Sequence, residues 1–157
     1  MDEILNLHDD EAGPWLDAQQ PRLHVVLGDS VARDCGLHAG QANDRVLNLS
    51  KGGATWATLR DGLEERMTTW RQVARDEGRR LGVAVVWLSG NDVYSRITGL
   101  PCASEEVLWL MQESAKGVTD ALLDAAEGVV VLGPIARLGS EVLPVQRECS
   151  QRARHSA

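Results

Sequence analysis

The stretch Val83-Ala84-Val85-Val86-Trp87-Leu88, followed by Ser89-Gly90-Asn91-Asp92, decides how the chain is read. Six apolar residues without polar alternation predict a strand buried on both faces, and such strands belong to parallel sheets covered by helices. Upstream, residues 55–81 carry a helical period: Leu59, Leu63, Met67, Trp70 and Ala74 recur every three or four positions with charged residues between them. Gly82 reads as the glycine that ends this helix. Downstream, after a loop with Gly99 and Pro101, Ser104 is placed to cap a helix, with Glu105 and Glu106 in its first turn. That helix runs to about Glu127, with Val107, Leu108, Met111, Ala115, Val118 and Leu122 on one face. Gly128 stops it, and Val129 to Leu132 forms a strand closed by Gly133-Pro134. Toward the N-terminus lie two more strands, Leu23 to Leu27 and Arg45 to Leu49. Strands alternating with long helices imply right-handed crossovers, hence one α/β domain with a three-layer arrangement and about four parallel strands. Residues 1–21 read as an irregular lead-in, 22–137 as the domain, and 138–157 as an Arg-rich tail holding Arg147, Arg152 and Arg154.

Bulk properties narrow the function. A chain of 157 residues suffices for one domain with a core. Its formal net charge of −7 argues against a general nucleic-acid binder, whose affinity rests on Lys and Arg neutralising phosphates. Cys35, Cys102 and Cys149 are odd in number and widely spaced, so neither a disulfide framework nor a zinc site is expected. No basic segment precedes an apolar run at the start, and no stretch approaches a membrane span, so a soluble, intracellular protein is expected. Phe is absent, and five tryptophans carry most of the aromatic packing. Trp87 and Trp109 fall on core periodicities, while Trp56, just after a glycine turn, is a candidate to line a substrate pocket.

In open parallel sheets, ligands bind beyond the carboxyl ends of the strands. Gly28-Asp29-Ser30, Gly52-Gly53-Ala54-Thr55 and Ser89-Gly90-Asn91-Asp92 follow the first three strands, so topology should gather them on one edge. Ser30 offers an exposed hydroxyl and a backbone N–H at a helix start, where developing negative charge is favoured. Gly53 can bring a bare N–H close to a substrate oxygen, and Asn91 can aim an amide donor at the same oxygen. A serine with such donors is an acyl-transfer site. Asp29 is expected to hydrogen-bond its own turn rather than to react.

These three blocks, in this order, resemble the GDSL or SGNH hydrolase family over about residues 22–137. The resemblance implies a flavodoxin-like α/β/α fold, hydrolysis of small acyl esters, no metal or organic cofactor, Ser30 as nucleophile, and the Ser30 N–H, the Gly53 N–H and the Asn91 side chain as oxyanion donors. Two blocks depart mildly from the family pattern. Ser89 stands where the third block usually has glycine, and Val31-Ala32 follow the first block where leucine is usual. The larger departure is the family's last block, Asp-x-x-His, which supplies the base. No Asp stands three residues before a His anywhere in the chain. The chain therefore reads as an incomplete esterase, weak or inactive unless His155, a further C-terminal segment or another chain supplies the base. His8, His24 and His38 carry no such signal. The rival reading is a non-catalytic binding or interaction domain, a degenerate hydrolase or a fragment of a larger, possibly retrotransposon-encoded protein. A flavodoxin-like phosphate binder is disfavoured because the first turn lacks Gly-x-Gly-x-x-Gly.

Overall fold

The structure is a computed structural model that describes residues 20–94 and 104–133. The expected lead-in, the Arg-rich tail, His155, Cys102 and Cys149 lie outside the described residues, apart from Gln20 and Pro21 at the end of the lead-in. In chain order the elements are β1 (Arg22–Gly28), α1 (Ser30–Asp34), β2 (Arg45–Asn48), α2 (Trp56–Asp61), α3 (Leu63–Asp76), β3 (Arg80–Trp87), α4 (Asn91–Tyr94), α5 (Glu105–Leu123) and β4 (Gly128–Leu132). The four strands form one sheet in the order β2-β1-β3-β4, and every pairing is parallel. Chain direction across the sheet reverses between β2 and β3, on either side of β1. This is the switch point beyond which a crevice opens in doubly wound sheets.

Strand alternation sorts the two faces. Leu23, Val25 and Leu27 of β1, with Ala84 and Val86 of β3, pack in one cluster with Leu63, Met67, Trp70 and Ala74 of α3, Leu59 of α2, and Val118 and Leu122 of α5. Those three helices therefore cover one face. Trp70 is the largest fully buried side chain, and its Nε1–H donates to Leu23 O (2.9 Å), so the indole meets its polar need inside the core. On the opposite face lie Val26 and Gly28, with α1 above them. A Cβ added to Gly28 would fall 2.6 Å from the Cβ of Ala32 and 2.1 Å from the backbone oxygen of Trp87. Only glycine lets β1, β3 and α1 approach this closely. Val130 and Leu132 of β4 pair with Val85 and Trp87, share their face, and remain substantially exposed.

Several boundaries differ from the sequence reading. The helix expected over 55–81 is two helices broken at Gly62, and the second ends at Asp76. Its terminating glycine is Gly78 (φ +61°), not Gly82. Gly82 lies inside β3, where the His24 ring abuts its Cα: a Cβ there would sit 2.5 Å from His24 Nδ1. The sheet starts this strand earlier than hydropathy suggests, because Arg80 N donates to Pro21 O and extends the pairing with β1. Helix α5 ends at Leu123 rather than Glu127. Trp109, expected in the core, is 57% exposed, and Val107 is 44% exposed. The helix buries Ser114, Val118 and Leu122 instead, with Met111 and Ala115 packed partly against the cluster. Ser104 caps α5 as expected, accepting from Val107 N.

At the amino edge of the sheet, Arg22 N and Nε both donate to the Asp44 carboxylate (2.8 Å each). The backbone N–H of Arg22, with its guanidinium and the His24 ring, draws the Asp44 carboxyl down to about 2. His24 Nδ1 accepts from Val83 N (2.9 Å), which fixes the ring's proton on Nε2, facing Asp44 Oδ2 at 3.3 Å. The register shift between Leu23 and Val25 opens the space that this ring fills.

Candidate functional site

The site is built at the carboxyl edge from three loops tied to the end of β1. Leu49 N donates to Val26 O and Lys51 N to Gly28 O, both at 2.9 Å, so pairing continues past β2 and lays the glycine turn beside Asp29 and Ser30. The turn closes with Ala54 N donating to Lys51 O (3.2 Å). Gly53 in it has φ +76°, as the third position of a type II turn requires, and a residue with a Cβ would be strained there. Thr55 then caps α2 through a capping box with Thr58.

Asp29 is the hub. It is fully buried and caps α1, with Oδ1 accepting from Val31 N (2.9 Å). Its Oδ2 reaches the loop after β3, accepting from Ser89 N (2.8 Å), Ser89 Oγ (2.5 Å) and Asn91 Nδ2 (3.4 Å). The same Asn91 nitrogen donates to Ala54 O (3.1 Å). One amide thus bridges the second and third loops, and one carboxylate bridges the first and third. The sequence reading gave Asp29 its local turn, which the structure contains; the reach to Ser89 and Asn91 was not legible. Ser89, where the resembled family usually has glycine, uses its hydroxyl in this network. The backbone freedom falls on Gly90 next to it, at φ +133°.

A second carboxylate escaped the sequence reading. Asp92 Oδ2 accepts from Trp56 N (3.3 Å), fastening the first turn of α2 to the third loop. Burial raises the Asp92 carboxyl to about 6, helped by the charge of Asp29 and opposed by the N–H groups of Trp56 and of Asp92 itself. The signal available in sequence was an acidic residue at a strand end where ligand-facing loops converge. Nothing local distinguished it from an ordinary helix-capping aspartate.

Ser30, Gly53 and Asn91 therefore lie on one edge of the sheet, on loops bonded to one another. Among the described residues, the N–H groups of Ser30, Gly52 and Gly53 have no acceptor in the protein. Helix α1 has only five residues, so its aligned peptide dipoles sum to little at the Ser30 N–H. Of the described histidines, His24 sits four residues before Gly28 along β1, roughly 13 Å away at about 3.3 Å per residue. His38 is exposed and contacts Gly36 O (3.4 Å). Trp56 is buried and lines a cavity of about 280 Å³ with Gln112, Lys116 and Val131, on the α5 side of the sheet rather than beside the glycine turn. Among the described residues no group of three or more His, Cys, Asp or Glu could hold a metal ion. No described helix is long and apolar enough to cross a membrane.

No family model and no curated protein sequence matches the chain. Solved structures do. The acetylxylan esterase Axe2 from Geobacillus stearothermophilus aligns over 88% of this chain and 70% of its own, with 20% identity and a TM-score of 0.55. A protein from Parabacteroides merdae described as a GDSL-like lipase aligns over 87% of this chain and 73% of its own, with 14% identity and a TM-score of 0.57. The fold is shared with these esterase structures. Catalytic mutants of Axe2 also match, in which a serine, an aspartate and a histidine are each replaced by alanine, the aspartate three residues before the histidine.

Proposed function

We propose that the chain is an ester-hydrolase domain of the SGNH type in which Ser30 attacks the carbonyl of a small acyl ester. The negative charge that develops on the carbonyl oxygen is met by the N–H of Ser30, the N–H of Gly53 and the side chain of Asn91. The observation that carries this reading is the meeting of the Ser30, Gly53 and Asn91 loops on one edge of the sheet, tied together through the Asp29 carboxylate and the Asn91 amide. Donors held in place by such a network are preorganised for the charge as it appears, and each is typically worth about 10²–10³ in turnover. Asn91 enters by exchanging its long 3.4 Å contact to Asp29 for the substrate oxygen while keeping the 3.1 Å bond to Ala54 O. The amide that holds the loops together is then also a donor.

The base is the open part of this reading. A serine hydroxyl is a weak nucleophile until a base takes its proton. His24 and His38 both lie elsewhere, and the candidate named from the sequence, His155, falls outside the described residues. That placement of the described histidines favours the second reading, a binding module that accepts an acyl group or anion and turns it over slowly. Removing the histidine from a serine protease triad costs about 10⁶ in turnover, with about 10³–10⁴ over water remaining. The two readings separate on one experiment. A fluorophosphonate probe is expected to label the intact chain, with labelling abolished in Ser30→Ala. Equal, slow p-nitrophenyl acetate turnover by the two proteins, with no labelling of either, would leave only the binding module.

A further inference from the structure

We infer that the groove beside the glycine turn holds the hydroxyl-bearing alcohol part of the ester. The word "ester" rests on the reading above; the binding of a neutral polyol does not. The groove encloses about 580 Å³. Its floor is the loop from Leu49 to Ala54, which includes Gly53, one of the residues assigned to the oxyanion. Its wall is Thr58 of α2 and one stripe of α3: Gly62, its N-cap, then Glu65, Arg66 and Thr69, at the spacing that puts residues on a single helical face. From Gly62 to Thr69 that stripe is about 10 Å long at about 1.5 Å per residue, the length of a sugar ring with its substituents.

The lining selects the chemistry. Lys51, Glu65 and Arg66 all face this one groove, and among the described residues no ion pair engages any of them. The Arg66 guanidinium is fixed by two backbone carbonyls, Nη1 to Gly62 O (2.8 Å) and Nε to Leu49 O (3.3 Å), so it is held in place without being neutralised. Thr69 Oγ1 spends its proton on Glu65 O (3.0 Å) and leaves its lone pairs open. Ser50 in the floor carries a buried hydroxyl with no partner. The groove is thus lined by cationic donors, a carboxylate acceptor and hydroxyl groups, with Leu49 its only large aliphatic residue. Hydroxyl groups, which both donate and accept, match such a mixed lining. An alkyl chain would leave these groups desolvated and unpaired. A carboxylate ligand would meet Glu65.

The test uses the whole chain and reads binding separately from turnover. Amide chemical shifts are followed by NMR during titration with methyl β-D-glucopyranoside, with n-hexanol and sodium acetate as comparison ligands. Glucoside-specific, saturable shifts are expected at Gly52, Gly53 and Thr69. The dissociation constant should rise at least fivefold in Glu65→Ala and in Thr69→Val, both exposed positions whose spectra elsewhere should match the parent. Ser30→Ala should bind the glucoside like the parent, so an inert serine would sink the esterase reading and leave this one standing. Absence of shifts at these amides up to saturating glucoside overturns the inference, as does a response to hexanol or acetate that equals or exceeds the response to glucoside.

Discussion

Asp92 gives the site a pH dependence of predictable sign. Its carboxyl is held near 6, against an ordinary 3.8, because burial disfavours the charged form. At about 1.4 kcal/mol per pH unit, that gap is worth about 3 kcal/mol. A raised carboxyl keeps its proton in the folded chain over a range where the unfolded chain has released it. Stability from this group is therefore fully present below about pH 4 and is lost as pH rises through 6. Asp92→Asn removes the charge but keeps the shape and an oxygen able to accept from Trp56 N. The informative quantity is the stability difference between variant and parent, measured by urea unfolding followed by tryptophan fluorescence at pH 4, 5, 6 and 7. Other carboxylates act on both proteins and cancel in that difference. The variant should gain on the parent by about 2–3 kcal/mol between pH 4 and pH 7. A difference that stays flat across this range, or that moves in the parent's favour, would refute the argument that burial dominates the Asp92 environment.

Two further outcomes follow from the packing and the network. Gly28→Ala places a Cβ 2.1 Å from the Trp87 backbone oxygen, which cannot rotate away; calorimetry should show a loss of about 3 kcal/mol or more, at the upper end of overpacking effects. Asp29→Ala leaves Val31 N, Ser89 N and Ser89 Oγ without their acceptor in a half-buried setting. The expected loss is about 2–4 kcal/mol, and probe labelling of Ser30 should fall with it, whereas Asp29→Asn should recover part of the stability.

Much of this protein was legible in the chain itself. The unbroken apolar run at Val83–Leu88, the shorter one at Leu23–Leu27 and the helical period through Leu63, Met67, Trp70 and Ala74 specify a parallel α/β sheet, because hydropathy period and burial are the same property seen in one and in three dimensions. The same topology predicted that Ser30, Gly53 and Asn91 would share an edge, and they do. Element ends were less legible. Gly82 reads as a helix terminator by residue type, yet it sits in β3 because the His24 ring of a neighbouring strand occupies the space where its side chain would be. Trp109 and Val107 read as core positions of α5 but face outward, because a period along one helix cannot report where its packing partner stops.

The sequence by itself determined the strands, the helices and the order of the three turns that follow them, all of which depend on residues near one another in the chain. Only the tertiary structure decided what joins those turns. Asp29 is bonded to residues 60 and 62 positions away, and Asp92 to one 36 positions away. A hydrogen bond between buried groups depends on distance in space and on exclusion from water, and neither is encoded in the local pattern around either aspartate.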